Sequence, residues 1–346
     1  MTGNHLLVHR SADKKSFYFD SKSVFWSGEL HCWITCDPVT IEFIQKCAAF
    51  RVVDHSGETE KIISRLHIDL SQIARVFQNV PVNVEGEEHA LRRRQMAQTL
   101  SARTSEGLAR FERLAGNLCE RYLGRNGSSE VVSEIFEPLV VELAHALSGI
   151  ELHRNPDFVS PTQIFDKALG LNRRKLINQQ IATLRQNACQ HLPEDEIDTA
   201  IGLAILGSDT ILGSLALSFA ERISSNPDVR MRDIAWGDRL TLTAVPFIER
   251  QAVEPVEFDD VRIGQGDIVR LFMDRYSFEP RDSRDAFFGT GRHACIGRAV
   301  TQQAWRTLAG VLGQLPSFAH IDTLKLREAD CMFLFPREIR VTTYDK

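Results

Sequence analysis

The run FFGTGRHACIGRAV, residues 287 to 300, sets Cys295 behind Gly289, Gly291, Arg292 and His293. It stands ahead of a stretch whose apolar residues Val300, Trp305, Leu308, Val311, Leu312 and Leu315 fall on one helical stripe. A cysteine at a helix N-terminus meets free backbone N–H groups and the positive end of the helix dipole, which favour thiolate over thiol. Gly289 and Gly291 permit a tight loop that turns amides toward the sulfur. A thiolate so held is a nucleophile or a metal ligand. A nucleophile needs a base, and His293 would point elsewhere in an extended loop. Zinc needs further ligands, and Cys32 with Cys36 offers a loose pair at helical spacing with no matching second pair.

Three other groups of residues carry chemistry. Asp209 and Thr210 place an acid beside an alcohol in the middle of PEDEIDTAIGLAILGSDTILGSLALSFAERIS, residues 193 to 224. His89 and Arg93 stand four apart, on one helix face. Arg250 opens a strand-like stretch.

The elements that must position these groups are mainly helical. Residues 85 to 225 and 296 to 315 read as helix, and β character is confined to stretches near 15–36, 246–273 and 329–345, the last resembling a strand pair. The segment 193–224 starts with Pro193 and the acids Glu194, Asp195 and Glu196, as a helix N-terminus should. Its centre is apolar on nearly every side, which raises the question of a membrane span. An aspartate at a bilayer centre costs roughly 2.5–3.5 kcal/mol, so Asp209 favours a helix buried in a globular core, with no membrane span. Gly202, Gly207 and Gly213 each cost that helix about 1 kcal/mol relative to alanine. Close approach to a flat ligand and tight helix packing would each account for them. Leu206, Ile205 and Ile211 are expected to line an apolar pocket.

The chain has 346 residues and seven cysteines, an odd number without the spacing of a disulfide framework. Its opening is polar and lacks a secretory pattern, so a cytoplasmic protein with reduced thiols is expected. A net charge of −5 gives no basic field for nucleic acid.

A single thiolate serving as axial ligand to heme iron needs neither base nor further protein ligands. Residues Phe288 to Gly297 match the heme-binding loop of the cytochrome P450 superfamily at every signature position, and the chain resembles that family in further places. Gly207–Thr210 looks like its oxygen-activating segment, with Asp209 and Thr210 as the acid and alcohol. HALRR supplies the family's propionate-gripping pair, His89 and Arg93. Arg250 and His293 fall at further propionate-contact positions.

The resemblance implies one P450-like domain over residues 1–346, mainly α with a minor β portion. It implies heme b ligated by Cys295 and cradled by His89, Arg93, Arg250, Phe288, Gly289, His293 and Gly297. The implied activity is that of a monooxygenase inserting one oxygen atom from O2 into a small, largely apolar molecule, free or carrier-tethered. Electrons would come from NAD(P)H through a ferredoxin or flavodoxin partner. The alternatives are a peroxide-driven or non-oxygenating heme-thiolate enzyme, or a degenerate heme-binding protein.

Three departures stand out. Trp236 occupies the glutamate position of the family's Glu-x-x-Arg pair in WGDR, leaving Arg239 to find Asp233 or Asp238. The segment before Phe288 is short. The stretch from Arg94 to Asp209 is abbreviated, which suggests a trimmed lid over an open or partner-completed pocket.

Overall fold

The computed structural model describes residues 24–152, 160–166, 169–258, 261–273, 288–326 and 333–345. The shortened segment before Phe288 and the first part of the 15–36 β stretch lie outside them.

Eight α-helices carry the architecture among the described residues: α1 Pro38–Lys46, α2 His55–Leu66, α3 Ser71–Asn79, α4 Gly86–Leu123, α5 Glu137–Ser148, α6 Leu171–Ala188, α7 Glu194–Ser224 and α8 Arg298–Leu312. Asp37 caps α1 by accepting the Thr40 N–H at 2.8 Å, and Asp54 caps α2 by accepting that of Gly57 at 2.9 Å. Helix α7 runs through the centre and contacts α3, α4, α5 and α6. That surround explains why it is apolar on almost every side. By length and hydropathy it could cross a membrane, yet 78% of its most apolar window is buried inside the fold. Phe111 and Cys119 of α4, Leu139 and Leu143 of α5, and Leu215 and Phe219 of α7 share one core.

Among the described residues three sheets flank the helices. The largest orders its strands β1 (Phe25–Ser27), β2 (Cys32–Thr35), β8 (Ile268–Phe272), β5 (Phe247–Ala252) and β3 (Phe50–Arg51). β5 pairs antiparallel with β8, opposing Arg250 to Val269. β6 (Val256–Phe258) and β7 (Val261–Ile263) form a separate hairpin.

The tail differs from the strand pair expected of it. Its described residues, 333–345, supply one strand, β10 (Pro336–Tyr344), between β9 (Phe318–Leu326) and β4 (Gly127–Glu130). Phe333–Phe335 is not strand; its side chains are buried in packing, and Leu334 donates to the Ala244 carbonyl at 2.6 Å. The cysteine pair is corrected too. Cys32 lies on β2 and Cys36 just beyond it, so the spacing of four is not helical. No group of three or more potential metal-ligating side chains occurs among the described residues.

The WGDR segment is also resolved differently from its expected role. It lies in the irregular stretch between α7 and β5. Trp236 plugs the space between α7 and α8: its ring stacks on Phe219 at 6.0 Å, meets Trp305 edge-on, and donates its N–H to the Met231 carbonyl at 2.8 Å. Arg239 forms no ion pair with Asp233 or Asp238 among the described residues, and being partly exposed it needs none.

Candidate active site

The cysteine loop is shaped by two left-handed glycines. Gly289 has φ +74° and Gly291 φ +69°, conformations that a side chain rarely adopts, and a Cβ on Gly291 would approach the Gln45 carbonyl to 3.1 Å. Gln45 of α1 anchors the same loop, accepting the Thr290 backbone N–H at 2.5 Å and its hydroxyl at 2.9 Å. The Cys295 N–H then donates to the Phe288 carbonyl at 2.7 Å, closing the loop. Gly297 is the N-cap of α8. Cys295 thus sits where the sequence places it, just ahead of a helix.

Its sulfur faces a cavity of about 270 Å³ that passes through the middle of the molecule. Because this surface is interior, Cys295 is open to the cavity while lying deep in the protein. Burial pushes its thiol up, opposed by the Gly297 and Arg298 backbone N–H groups and the Arg93 charge.

Cations gather on the wall that carries Cys295. His89 and Arg93, on the first turns of α4, line the cavity with Arg250 of β5 and His293 of the loop. Arg93 donates to the Ala294 carbonyl at 2.7 Å, tying α4 to the cysteine loop. It does not pair with the nearby acids, since Glu88 is taken by Arg92 at 2.6 Å. The His89 and His293 rings lie 4.2 Å apart. His89 Nε2 and His293 Nδ1 are buried without hydrogen-bond partners. Burial, with the charges of His293 and Arg93, pushes the His89 imidazole below its usual pKa. Arg250 is buried, donates to its neighbour's Glu249 carbonyl at 2.8 Å, and makes no ion pair among the described residues. Burial brings it down to about 10.

Acids stand at this wall too, and Glu249 of β5, which lines the cavity, is paired with Arg270 at 2.8 Å. Glu85, just before α4, accepts the Val52 N–H at 2.9 Å, and its carboxylate lies 3.1 Å from Arg292 and 3.2 Å from His293 Nε2. Burial raises its pKa, but the hydrogen bonds from His293 and Val52 and the charges of His293 and Arg292 prevail, holding it at about 2. Sequence reasoning missed Glu85, whose position before HALRR was the available signal.

Helix α7 forms the opposite wall through Leu203, Leu206, Gly207, Thr210, Ile211 and Ser214, a run at i, i+3, i+4, i+7, i+8 and i+11. The lining face takes in Thr210 and Ile211 and leaves out Asp209. Thr210 faces it, its hydroxyl donating to the Leu206 carbonyl at 2.6 Å. Asp209 turns away and accepts the hydroxyls of Thr162, at 2.7 Å, and Ser160. Ile205, one turn earlier on Asp209's side, packs into the core with Ile201 and Phe165 instead of lining the cavity. The three glycines divide likewise. A Cβ on Gly213 would meet Ala244 and the Leu334 carbonyl at 2.7 Å, and one on Gly202 would meet Val80 at 3.0 Å, whereas at Gly207 nothing lies within 4 Å.

A buried helix crossing above a cysteine loop, with a small sheet at one side, defines a mainly helical fold built around an interior cavity. Solved structures give that fold its name: the chain has the cytochrome P450 fold. P450BioI in complex with hexadec-9Z-enoic acid ligated acyl carrier protein is similar at TM-score 0.70 and 18% identity, over 93% of this chain and 94% of that one. CalO2 is similar at TM-score 0.73 and 14% identity, over 97% and 96%. The versatile cytochrome P450 enzyme of Bacillus subtilis is similar at TM-score 0.66 and 15% identity, over 95% and 97%. No protein-family model matches the chain, and no curated protein matches it in sequence.

Proposed function

We propose that this chain binds heme b through Cys295 and acts as a monooxygenase on a small, largely apolar molecule. The observation that carries the reading is the composition of one cavity wall, where a cysteine sulfur under a helix N-terminus shares the surface with Arg93, Arg250, His89 and His293. Two carboxylates are the chemistry that wall lacks. The buried, unpartnered imidazole nitrogens and the unpaired Arg250 fit heme propionates through charge-assisted hydrogen bonds. Bound there, a heme iron with a thiolate ligand supplies oxygen activation, because electron donation from the sulfur favours O–O cleavage.

The protein's own contribution is distributed around the cavity. The Gly297 and Arg298 amides favour the charged form of the sulfur against the opposing effect of burial. Thr210 offers a hydroxyl on the facing wall, where a proton can be held or passed. Leu203, Leu206, Ile211 and Phe333 exclude water and hold an apolar substrate. Electrons would come from NAD(P)H through a ferredoxin or flavodoxin type donor, in the cytoplasm. The acyl carrier protein bound by P450BioI supports keeping carrier-tethered molecules among the candidate substrates.

A second reading, peroxide-driven turnover, is favoured by Asp209, whose carboxylate is engaged by Ser160 and Thr162 away from the cavity. Comparing turnover driven by peroxide with turnover driven by NADH and a surrogate donor separates the two.

The primary test is the absorption spectrum of the heme-loaded protein, reduced under carbon monoxide, for wild type and Cys295→Ser. A strongly red-shifted Soret band that the variant lacks is expected. Absent heme uptake, or a band typical of histidine ligation, would overturn the reading.

A further inference from the structure

A second cavity, of about 500 Å³, lies on the other side of His55. One face of α2 lines it, from His55 through Glu58, Thr59 and Ile62 to Arg65, with Lys61 beside them. Phe77 of α3, the turn Ile164–Asp166 and Arg174 of α6 complete it. Among the described residues His55 alone lines both cavities. Its ring stacks on Phe77 at 5.4 Å and meets Phe165 edge-on at 5.5 Å. Phe165 in turn meets Phe333, a residue of the first cavity, at 5.4 Å. The partition between the chambers is therefore aromatic.

The two chambers differ in chemistry. The first is apolar over Cys295. The second is charged, with Lys61, Arg65 and Arg174 facing Glu58 and Asp166. These charges are sorted along the chamber. Glu58 lies at the His55 end, 3.9 Å from Nδ1. Arg174 is held at the turn, donating from Nε to the Leu169 carbonyl and from Nη2 to the Asp166 carbonyl, both at 3.0 Å. Lys61 and Arg65 lie farther out, roughly 9 and 15 Å along the helix axis from His55, and make no ion pair among the described residues. One end of the chamber is thus cationic, while its other end meets the aromatic partition at His55.

We propose that the two chambers together bind one amphiphile, its apolar chain over Cys295 and its anionic head, a carboxylate or phosphate, at Lys61 and Arg65. The proposal rests on the monooxygenase reading and narrows its substrate class. An anion there meets two cations that make no ion pair among the described residues, while Glu58 repels it from the His55 end, so the head stays at Lys61 and Arg65 and the chain crosses the partition where the His55 ring gives way. A neutral molecule of the same length gains nothing from that end.

Isothermal titration of dodecanoate, dodecyl phosphate and dodecanol into the heme-loaded protein, with the Soret shift recorded in parallel, tests this in wild type and in Lys61→Gln/Arg65→Gln. Both positions are exposed, so the double variant should retain its fold, as circular dichroism would check. The expected result is that an anionic probe binds about tenfold more tightly than dodecanol, and that the double substitution removes this advantage while leaving dodecanol unchanged. Preference for dodecanoate identifies a free acid, and preference for the phosphate identifies a phosphate-bearing carrier group. Equal binding of all three, or an anion preference that survives the substitutions, overturns the proposal. Should the protein refuse heme, the monooxygenase reading fails separately, and titration of the heme-free chain still decides the head-group preference.

Discussion

His89 is packed against His293 and Arg93, and protonating it would add a further positive charge to a buried wall. Burial and those neighbours hold its pKa below the ordinary 6.5. As pH falls through 6.5 the unfolded chain takes a proton that the folded chain refuses, so stability is lost on acidification from that point. Glu85 acts in a lower window. Its pKa is depressed from 4.5 to about 2, so its contribution is complete above 4.5 and disappears as pH falls toward 2. Denaturant midpoints of the heme-free protein across pH should therefore decline in two stages. His89→Gln should flatten the upper stage and Glu85→Gln the lower. A decline unchanged by either substitution would mean that other groups set the acid sensitivity.

Helix α7 shows which parts of the site a sequence can specify. Its existence, start and burial were legible, because Pro193, three acids and a long apolar run are local signals. Its rotation was not, since a helix apolar all round has no stripe to orient it, and so Ile205 and Asp209 were expected at a cavity they turn away from. The cysteine loop was legible for the opposite reason: left-handed glycines and the one-sided stripe of α8 fix it within a few residues. Trp236 was beyond reach because its role depends on Phe219 and Trp305, rings brought by two other elements. The glycines of α7 turn this distinction into a measurement. Gly207→Ala meets open space, so it should stabilise the heme-free protein by about 1 kcal/mol through helix propensity while weakening ligand binding in the cavity. Gly213→Ala forces a Cβ against Ala244 and the Leu334 backbone and should destabilise by about 1–3 kcal/mol. Thermal or urea denaturation of both variants reads the two signs directly. The Asp209 contact is testable on the same helix. Asp209→Ala removes the carboxylate that the Ser160 and Thr162 hydroxyls share and leaves them only their mutual contact at 2.6 Å, which should cost about 1–3 kcal/mol and loosen the 160–165 turn in hydrogen exchange.

At the scale of the whole molecule, the cationic wall is assembled from segments far apart in the chain: the start of α4, strand β5 and the loop before α8. None of these segments needs its neighbours' positive charge in order to fold. Burying Arg250 in that wall, without an ion pair among the described residues, costs free energy that the heme-free protein bears, chiefly through loss of solvent. A displacement of its pKa from 12.5 to about 10 corresponds to about 3 kcal/mol against the charged form. A fold that buries Arg250 without an ion pair among the described residues should therefore gain stability from an anionic occupant. Arg250→Met removes the buried charge and keeps the bulk, so the heme-free variant should be at least as stable as the wild type. Loading with heme should then reverse the order, because a ligand that binds the folded state alone stabilises by about 4 kcal/mol at a thousandfold its dissociation constant, and the variant binds the propionates less well. Loading with heme dimethyl ester, which has no carboxylates, should bring the two proteins close together again. The decisive data are melting temperatures for wild type and variant in the heme-free, heme and ester states. If heme and its ester stabilise the wild type equally, the cations do not serve the carboxylates and the wall must be kept for another anion.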